Sequence, residues 1–141
     1  MIPNTRIPQD QFEKLLESYE NRKYNSKDFK LVGNRIKGYV DNEESLAQAL
    51  FFILSTERFQ YISMSNNVGV ELWTLYGESG PIVELTLAST IREAIMVDDR
   101  VQEITNLEIE KTEKNVFKVK VEVLSNLSEI VSVEKVVSIN E

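Results

Sequence analysis

Carboxylates are the side chains through which this chain could most easily do chemistry. The sequence contains neither histidine nor cysteine, which removes the commonest general base, the thiol nucleophile and the usual zinc ligands. The candidate acid pairs are Glu43 with Glu44, Asp98 with Asp99, and Glu108 with Glu110. A glycoside hydrolase needs two acids that face one sugar, one of them with a raised pKa. Adjacent residues rarely face the same way on a helix, and acids that share one strand face are typical of a solvated surface. We therefore expect structural roles for these pairs.

Asp98-Asp99-Arg100 differs from the other pairs because it falls at the predicted end of a helix. Acids there oppose the helix dipole and need a positive partner. Arg100 could supply it through an internal salt bridge, or the three residues could form a corner that docks on another protein, since arginine binds carboxylates bidentately. Glu57-Arg58 allows the same two interpretations. Gly69 is most simply a turn glycine, and Trp73 is most simply a core residue, with an interface role as the alternative.

The hydrophobic pattern predicts the elements that position these residues. Helical spacing and start signals predict helices at 10–21, 46–54 behind Asp41, 70–76 and 82–97. Strand-like runs lie at 29–32 and 35–40 around a Gly33-Asn34 turn, at 59–62, and at 107–109, 117–123 and 131–139.

The order of hairpin, helices and antiparallel meander predicts an α+β fold, with two to three helices on one face of a small mixed or antiparallel sheet. The length of 141 residues suits one domain. We divide it into an N-terminal helical extension, residues 1–28, and a single domain, residues 29–141. The extension's helix needs a surface to pack on, either its own domain or a neighbouring protein. Lys135 falls on the apolar side of the last strand, where it would mark a bulge or protect an edge.

Charge and hydropathy limit the partners. The net charge of −7 disfavours nucleic acid. Residues 1–40 hold eight Lys/Arg against five Asp/Glu, and residues 41–141 hold eight against eighteen, so the basic part either faces an acidic surface or is simply solvated. No apolar run reaches the roughly 18 residues that cross a bilayer, and the N-terminus lacks the apolar stretch of a signal peptide. We expect no membrane association, no secretory export and no cofactor.

Six segments in a fixed order resemble one known family. They are S-K-D-F-K-L at 26–31, R-I-K-G-Y-V-D at 35–41, Q-A-L at 48–50, L-S-T-E-R-F-Q-Y at 54–61, N-V-G-V-E-L at 67–72 and I-R-E-A-I-M-V-D-D-R-V at 91–101. Together they are similar to the sheath initiators, baseplate wedge proteins of contractile phage tails, in the branch found in Gram-positive prophages and phage-tail-like bacteriocins. The resemblance covers roughly residues 25–137.

The resemblance implies a structural part of the tail baseplate, assembled in the bacterial cytoplasm, that joins the wedge and offers β-structure to the first sheath ring. It implies larger wedge proteins, the sheath protein and tube or hub proteins as partners. The wider family has a Glu-Pro-Arg motif after its long helix that contacts the larger wedge protein, and Asp98-Asp99-Arg100 stands there with aspartate in place of glutamate and proline. Glu57-Arg58 and Gly69 stand at a second family corner. The resemblance therefore implies partner-binding roles for Asp98, Asp99, Arg100, Glu57, Arg58 and Gly69.

Two other functions remain open. The wider family is sometimes labelled lysozyme-like, so a carboxylate-based peptidoglycan hydrolase of the tail is the main alternative, although no acid pair is placed convincingly around a sugar cleft. A free regulatory binding module of the cytoplasm is the third interpretation.

Overall fold

The computed structural model describes residues 7–20, 26–78 and 80–139 and confirms the predicted α+β class. Helices α1, α2 and α3 are Gln9–Glu20, Asn42–Ser55 and Pro81–Met96, with a 3-10 turn at Leu72–Leu75. Strands β1 to β5 are Asp28–Val32, Arg35–Val40, Val101–Glu113, Val116–Ser125 and Ile130–Ser138. They form two antiparallel sheets, the hairpin β1–β2 and a meander in the order β3-β4-β5. Residues 1–6, at the N-terminus where no signal peptide is expected, and residue 21 of the predicted first helix lie outside the described residues.

The core lies between α2, α3 and one face of the meander. Strand β4 is central and buries every second residue, among them Phe117, Val119 and Val121, because successive side chains of a strand point to opposite faces. Helix α3 covers them with Leu87 and Ile91. Leu46, Leu50 and Leu54 do the same from α2. The predicted packing of helices on one face of the sheet is therefore confirmed.

The helices begin where polar or rigid residues satisfy their first turns. Asp41 caps α2, since its carboxylate accepts a hydrogen bond from the Asn42 backbone N–H at 2.8 Å. Pro81 opens α3, a position where the missing N–H costs nothing. Helix α1 starts earlier than predicted, because the carbonyl of Pro8 accepts from the backbone N–H groups of Gln11 and Phe12. Among the described helices, none combines the length and the apolar content needed to cross a bilayer.

One side chain of α2 holds the hairpin in place. The Gln48 carboxamide accepts a hydrogen bond from the Leu31 backbone N–H at 3.0 Å and donates to the Phe29 carbonyl at 2.7 Å. It thus bonds both kinds of backbone group on the edge of β1, as a neighbouring strand would. The Q-A-L segment of the sequence resemblance therefore has a local structural role, which periodicity alone could not indicate.

Two expectations about individual residues were wrong, and one of the two alternatives for Lys135 is excluded. Residues 59–62 form turns, not a strand, since Phe59 has a φ of +67° and Ile62 is fully exposed. Lys135 marks no bulge, because β4 and β5 pair in continuous register. It lies on the outer strand β5, so protection of that edge stays a prediction, and its ammonium lies 4.7 Å from the centre of the Phe51 ring. Trp73 is 56% exposed and so is not a core residue.

Candidate partner-binding site

The first charged corner, Asp98–Arg100, lies in the turn between α3 and β3. The Asp98 carboxylate accepts hydrogen bonds from the Arg100 backbone N–H and Nε, both at 3.0 Å, and from Nη2 at 2.8 Å. This is a bidentate pair, the strongest form of arginine–carboxylate contact. Burial raises the pKa of the Asp98 carboxyl, but the hydrogen bonds and positive charge of Arg100 outweigh it and hold that pKa below its ordinary value. The internal salt bridge that the sequence suggested is present.

Arg100 also connects this corner to distant parts of the chain. Its Nη1 donates to the Ser45 hydroxyl of α2 at 3.4 Å, and its carbonyl accepts from the Asn126 backbone N–H at 2.9 Å. The Ser45 hydroxyl in turn donates to the Ser26 carbonyl, just before β1. The corner therefore joins the start of α2, the approach to the hairpin and the β4–β5 turn.

The Arg100 guanidinium uses only part of its hydrogen-bonding capacity within the described residues. A guanidinium has five N–H donors, and three of them are directed at Asp98 and Ser45. The Arg100 side chain is 29% exposed and Asp98 only 10%, while Asp99 is exposed. The Asp98 carboxylate thus fixes the Arg100 guanidinium in one orientation. The exposed part of that guanidinium and the Asp99 side chain face solvent.

The second corner, Glu57–Arg58, follows α2 and is built differently. Glu57 pairs with Val70 in an isolated parallel bridge, in which the Arg58 N–H donates to the Val70 carbonyl and the Val70 N–H to the Thr56 carbonyl, both at 2.9 Å. The Glu57 carboxylate accepts from the Trp73 backbone N–H at 3.2 Å. Burial raises the pKa of the Glu57 carboxyl, and hydrogen bonds from the backbone N–H groups of Trp73 and Leu72 offset that only in part. Glu57 therefore holds the start of the 3-10 turn.

Arg58 points away from Glu57 and toward α3. Its Nη1 lies 3.2 Å from a Glu93 carboxylate oxygen and 3.6 Å from one of Glu71. The Arg58 side chain is only 12% exposed, and its buried Nε has no hydrogen-bond partner within the described residues. Arg58 joins the 56–71 loop to the C-terminal half of α3, so both corners border the same end of that helix.

Position 69 requires glycine both because of its backbone conformation and because of close packing. Its φ is +106°, and a Cβ there would lie 2.6 Å from the Thr56 carbonyl oxygen and 3.0 Å from the Arg58 backbone nitrogen. Any side chain would push into the backbone of the Glu57–Arg58 corner. Gly69 thus belongs to the scaffold of that corner.

The other acid pairs named from the sequence lie on solvent-exposed surfaces. Glu43 and Glu44 are exposed in the first turn of α2, where acids favour the helix dipole. Glu108 and Glu110 lie opposite Lys120 and Lys118 on neighbouring strands, a typical charge pairing of a solvated sheet face. No group of three or more acids in the described part of the chain is placed to hold a metal ion.

One depression near the start of α3 was not anticipated from the sequence. It measures about 480 Å³ and its lining includes Glu78, Glu84, Lys111 and Lys114. All four side chains are exposed, whereas an acid catalyst of a glycosidase needs a carboxyl with its pKa raised by an apolar pocket. The depression therefore adds no support for the hydrolase alternative.

A comparison with known protein families identifies the family of this chain. Residues 21–127 match the family described as the contractile injection system sheath initiator. The chain belongs to this family. The resemblance predicted from the six segments is therefore confirmed, and membership supports a structural role in a contractile tail.

One relative and one solved structure are also similar to this chain. The chain is 34% identical over 82 residues to the phage-like element PBSX protein XkdS of Bacillus subtilis (strain 168), a match that covers 52% of this chain and 58% of the relative. The chain thus spans less than two thirds of that relative's length. A crystal structure of a candidate tail lysozyme from Geobacter sulfurreducens matches with a TM-score of 0.60 and 15% identity, over 70% of this chain and 92% of the other. At that identity the likeness establishes the fold alone.

Proposed function

We propose that this protein is a non-enzymatic assembly component of a contractile-tail baseplate that joins the wedge and starts the sheath. Membership of the sheath initiator family supports the role. The absence of a buried acid pair from the described residues favours a binding function over hydrolysis. A zymogram on peptidoglycan with the purified protein tests this directly, and a cleared band that disappears when one acid is replaced would contradict it.

Strand β5 is the surface we assign to sheath initiation. It is an outer strand of the meander and its register with β4 is continuous, so it offers a regular edge. Strand β3, the other outer strand, shifts register against β4 at three places, and bulges of that kind discourage pairing. A sheath subunit could add a strand to β5 by β-augmentation.

The hydrogen bonds between β4 and β5 show which backbone groups of β5 an added sheath strand would meet. The Ile139 N–H donates to the Asn115 carbonyl at 2.7 Å, and the Ser125 N–H donates to the Glu129 carbonyl at 2.8 Å. In an antiparallel pair the bonded residues alternate, so the odd-numbered residues of β5 bond to β4. The backbone groups of Ser132, Glu134 and Val136 then point to the open edge.

Removing one outward N–H tests this assignment without removing the strand. Deleting β5 would expose a core to which Val131, Val133 and Val137 contribute, whereas Ser132→Pro removes only an outward donor, a position where an edge strand tolerates proline. We expect particles carrying Ser132→Pro to form baseplates without sheath, and Ser132→Ala to behave as wild type. Sheath of normal length on the proline variant, with its fold intact, would contradict the assignment.

The Asp98–Arg100 corner is the surface we assign to the larger wedge protein. Its guanidinium is pre-oriented by Asp98, which lowers the entropy cost of binding a partner carboxylate or carbonyl. Asp99 is exposed beside it. We expect Asp99→Asn to weaken wedge binding in a pull-down while leaving the melting temperature unchanged. Unchanged binding in both Asp99→Asn and Arg100→Lys would exclude this surface.

A further inference from the structure

Helix α1 presents an apolar stripe that nothing described covers. Phe12, Leu15 and Leu16 are each about half exposed, at 51%, 53% and 48%, and no extensive packing joins α1 to the other described helices and strands. With 3.6 residues per turn, Glu13 and Glu17 fall on one flank of that stripe. Residues 9–18 carry three acids against one lysine. The helix is therefore an amphipathic arm with an acidic border.

The β1–β2 hairpin presents a second uncovered apolar face. The register places Phe29 opposite Tyr39 and Leu31 opposite Ile36, so these four share one face, and they are 57%, 62%, 41% and 66% exposed. Phe29 and Tyr39 stack with ring centres 5.4 Å apart, which gives the face a flat, rigid aromatic part. Hydrophobic clusters of this kind on a surface mark interaction sites.

The charge of the hairpin is opposite to that of the arm. Residues 27–40 hold four basic residues, Lys27, Lys30, Arg35 and Lys37, against the single acid Asp28. Lys30 reaches Glu44 at 3.8 Å, and Lys27 lies 4.6 Å above the Tyr39 ring. Arg35 and Lys37 form no ion pair with any described residue. Alternation along β2 places Arg35 and Lys37 on the side opposite Ile36, whereas Lys27 borders the apolar face. The arm and the hairpin are thus complementary in apolar surface and in the sign of their net charge.

We propose that α1 of one copy docks on the β1–β2 hairpin of a second copy. Within one chain the two faces stay apart and exposed, although only residues 21–25 lie between α1 and the described chain that leads into β1. Ser26 is held at the hairpin's approach by its bond to Asp41, at 2.5 Å, and by Ser45. Exchange between copies covers both faces without disturbing those bonds, in the manner of domain swapping through a short connection.

Such an exchange joins two different surfaces, so it can link copies head to tail. A heterologous contact of this kind closes into a ring or continues as a chain, depending on the rotation between copies. One arm on one hairpin makes a contact below the roughly 1,200 Å² of a standard stable interface. We therefore expect weak association of the isolated protein. This inference does not depend on the proposed tail function.

Sedimentation velocity of the purified full chain at rising concentration tests for self-association. We expect dimers or larger species from the wild type and monomer from Leu15→Glu/Leu16→Glu, with the melting temperature unchanged because the arm packs on no core. Lys14→Glu changes the net charge by the same amount on the polar side of the helix and should leave association intact. A wild type that stays monomeric at every concentration would overturn the proposal.

Charge reversal tests the hairpin side. We expect Arg35→Glu/Lys37→Glu to weaken the association about tenfold or more, since each exposed pair that turns from attraction to repulsion contributes modestly. Lys111→Glu/Lys114→Glu makes the same change in charge at the far end of the meander and should have no effect. Adding Glu13→Lys/Glu17→Lys to the hairpin variant should restore association. Equal weakening by the two reversals would overturn the proposal.

Mixing two monomeric variants separates arm exchange from the other possible contacts. Leu15→Glu/Leu16→Glu retains an intact hairpin, and Ile36→Glu retains an intact arm. We expect the mixture to form a one-to-one heterodimer that neither variant forms alone. If α1 binds another α1, Ile36→Glu associates without its partner variant, and that result would overturn the proposal. If α1 folds back on its own hairpin, the wild type stays monomeric in the sedimentation experiment.

Discussion

The two charged corners contain the same residue types but use them at different depths. At Asp98–Arg100 the acid is buried and the arginine partly exposed, with side-chain exposures of 10% and 29%. At Glu57–Arg58 the arginine side chain is only 12% exposed, and its partners Glu71 and Glu93 are 32% and 70% exposed. Asp98 and Arg100 are two positions apart in the sequence and pair with each other, whereas Arg58 connects the 56–71 loop to α3. The two corners therefore differ in which partner is exposed, the arginine at the first and the acids at the second.

This difference suggests where each corner is vulnerable. Removing an arginine exposes its acid to whatever surrounds it, and a buried acid cannot recover its hydration, whereas an exposed one can. Close packing at Gly69 adds a purely steric requirement to the Glu57–Arg58 corner. The two corners should therefore respond differently to matched substitutions.

Gly69→Ala should have the largest effect on stability. The new methyl group would lie 2.6 Å from the Thr56 carbonyl oxygen at a φ of +106°, so the bridge between Glu57 and Val70 must open. We expect a loss of about 3 kcal/mol or more in the free energy of unfolding, measured in urea. Gly77→Ala is the control, with a φ of +82° and no atom within 4 Å, and should lose about 1–2 kcal/mol from backbone strain alone. Equal losses would mean that packing at Gly69 is not tight.

Arg100→Ala should come next, although Arg100 is the more exposed of the two arginines. It leaves the 10%-exposed Asp98 carboxylate without its bidentate partner, and we expect a loss of about 2 kcal/mol in urea unfolding. The double variant Asp98→Asn/Arg100→Ala should recover part of the loss, because the buried charge is then gone. A double variant less stable than Arg100→Ala would contradict this reasoning.

Arg58→Met should cost less than Arg100→Ala, about 1 kcal/mol by the same measurement. Its main partner Glu93 can return to water, and the substitution also removes the buried Nε that has no partner in the described residues. The methionine retains most of the apolar packing of the arginine stem. A greater loss from Arg58→Met than from Arg100→Ala would show that burial of the arginine decides the cost.

The pH dependence of stability should have opposite sign at the two corners. The folded pKa of Asp98 lies below its unfolded value of 3.8, so its contribution is complete above that value and is lost as the pH falls through the folded pKa. The folded pKa of Glu57 lies above its unfolded value of 4.5, so its ionisation reduces stability as the pH rises through that range. In pH-dependent urea unfolding, Asp98→Asn should remove part of the loss in acid, and Glu57→Gln part of the decline above 4.5. Unchanged profiles would exclude these two groups as the cause.

The regular elements could be predicted because their patterns are local. Alternation at Phe117, Val119 and Val121 predicted β4. Helical spacing from Ile82 to Met96 predicted α3, but the structure exposes Ile82 and Leu85 and buries Val83 and Leu87 instead. The strand predicted at residues 59–62 was wrong, because apolar residues form a strand only where a neighbouring strand can pair with them. The chain turns at Phe59 instead. The partner-binding assignments of the six corner residues remain predictions.

The sequence by itself determined the α+β class, the family and the positions of the acid–arginine pairs, because these depend on spacing and residue order along the chain. Only the tertiary structure decided that Arg58 points inward to Glu93, that part of the Arg100 guanidinium faces solvent, and that Gln48 holds the hairpin. Those outcomes depend on burial and on hydrogen-bond partners from 17 to 55 residues away. Short-range periodicity carries no information about such distant neighbours.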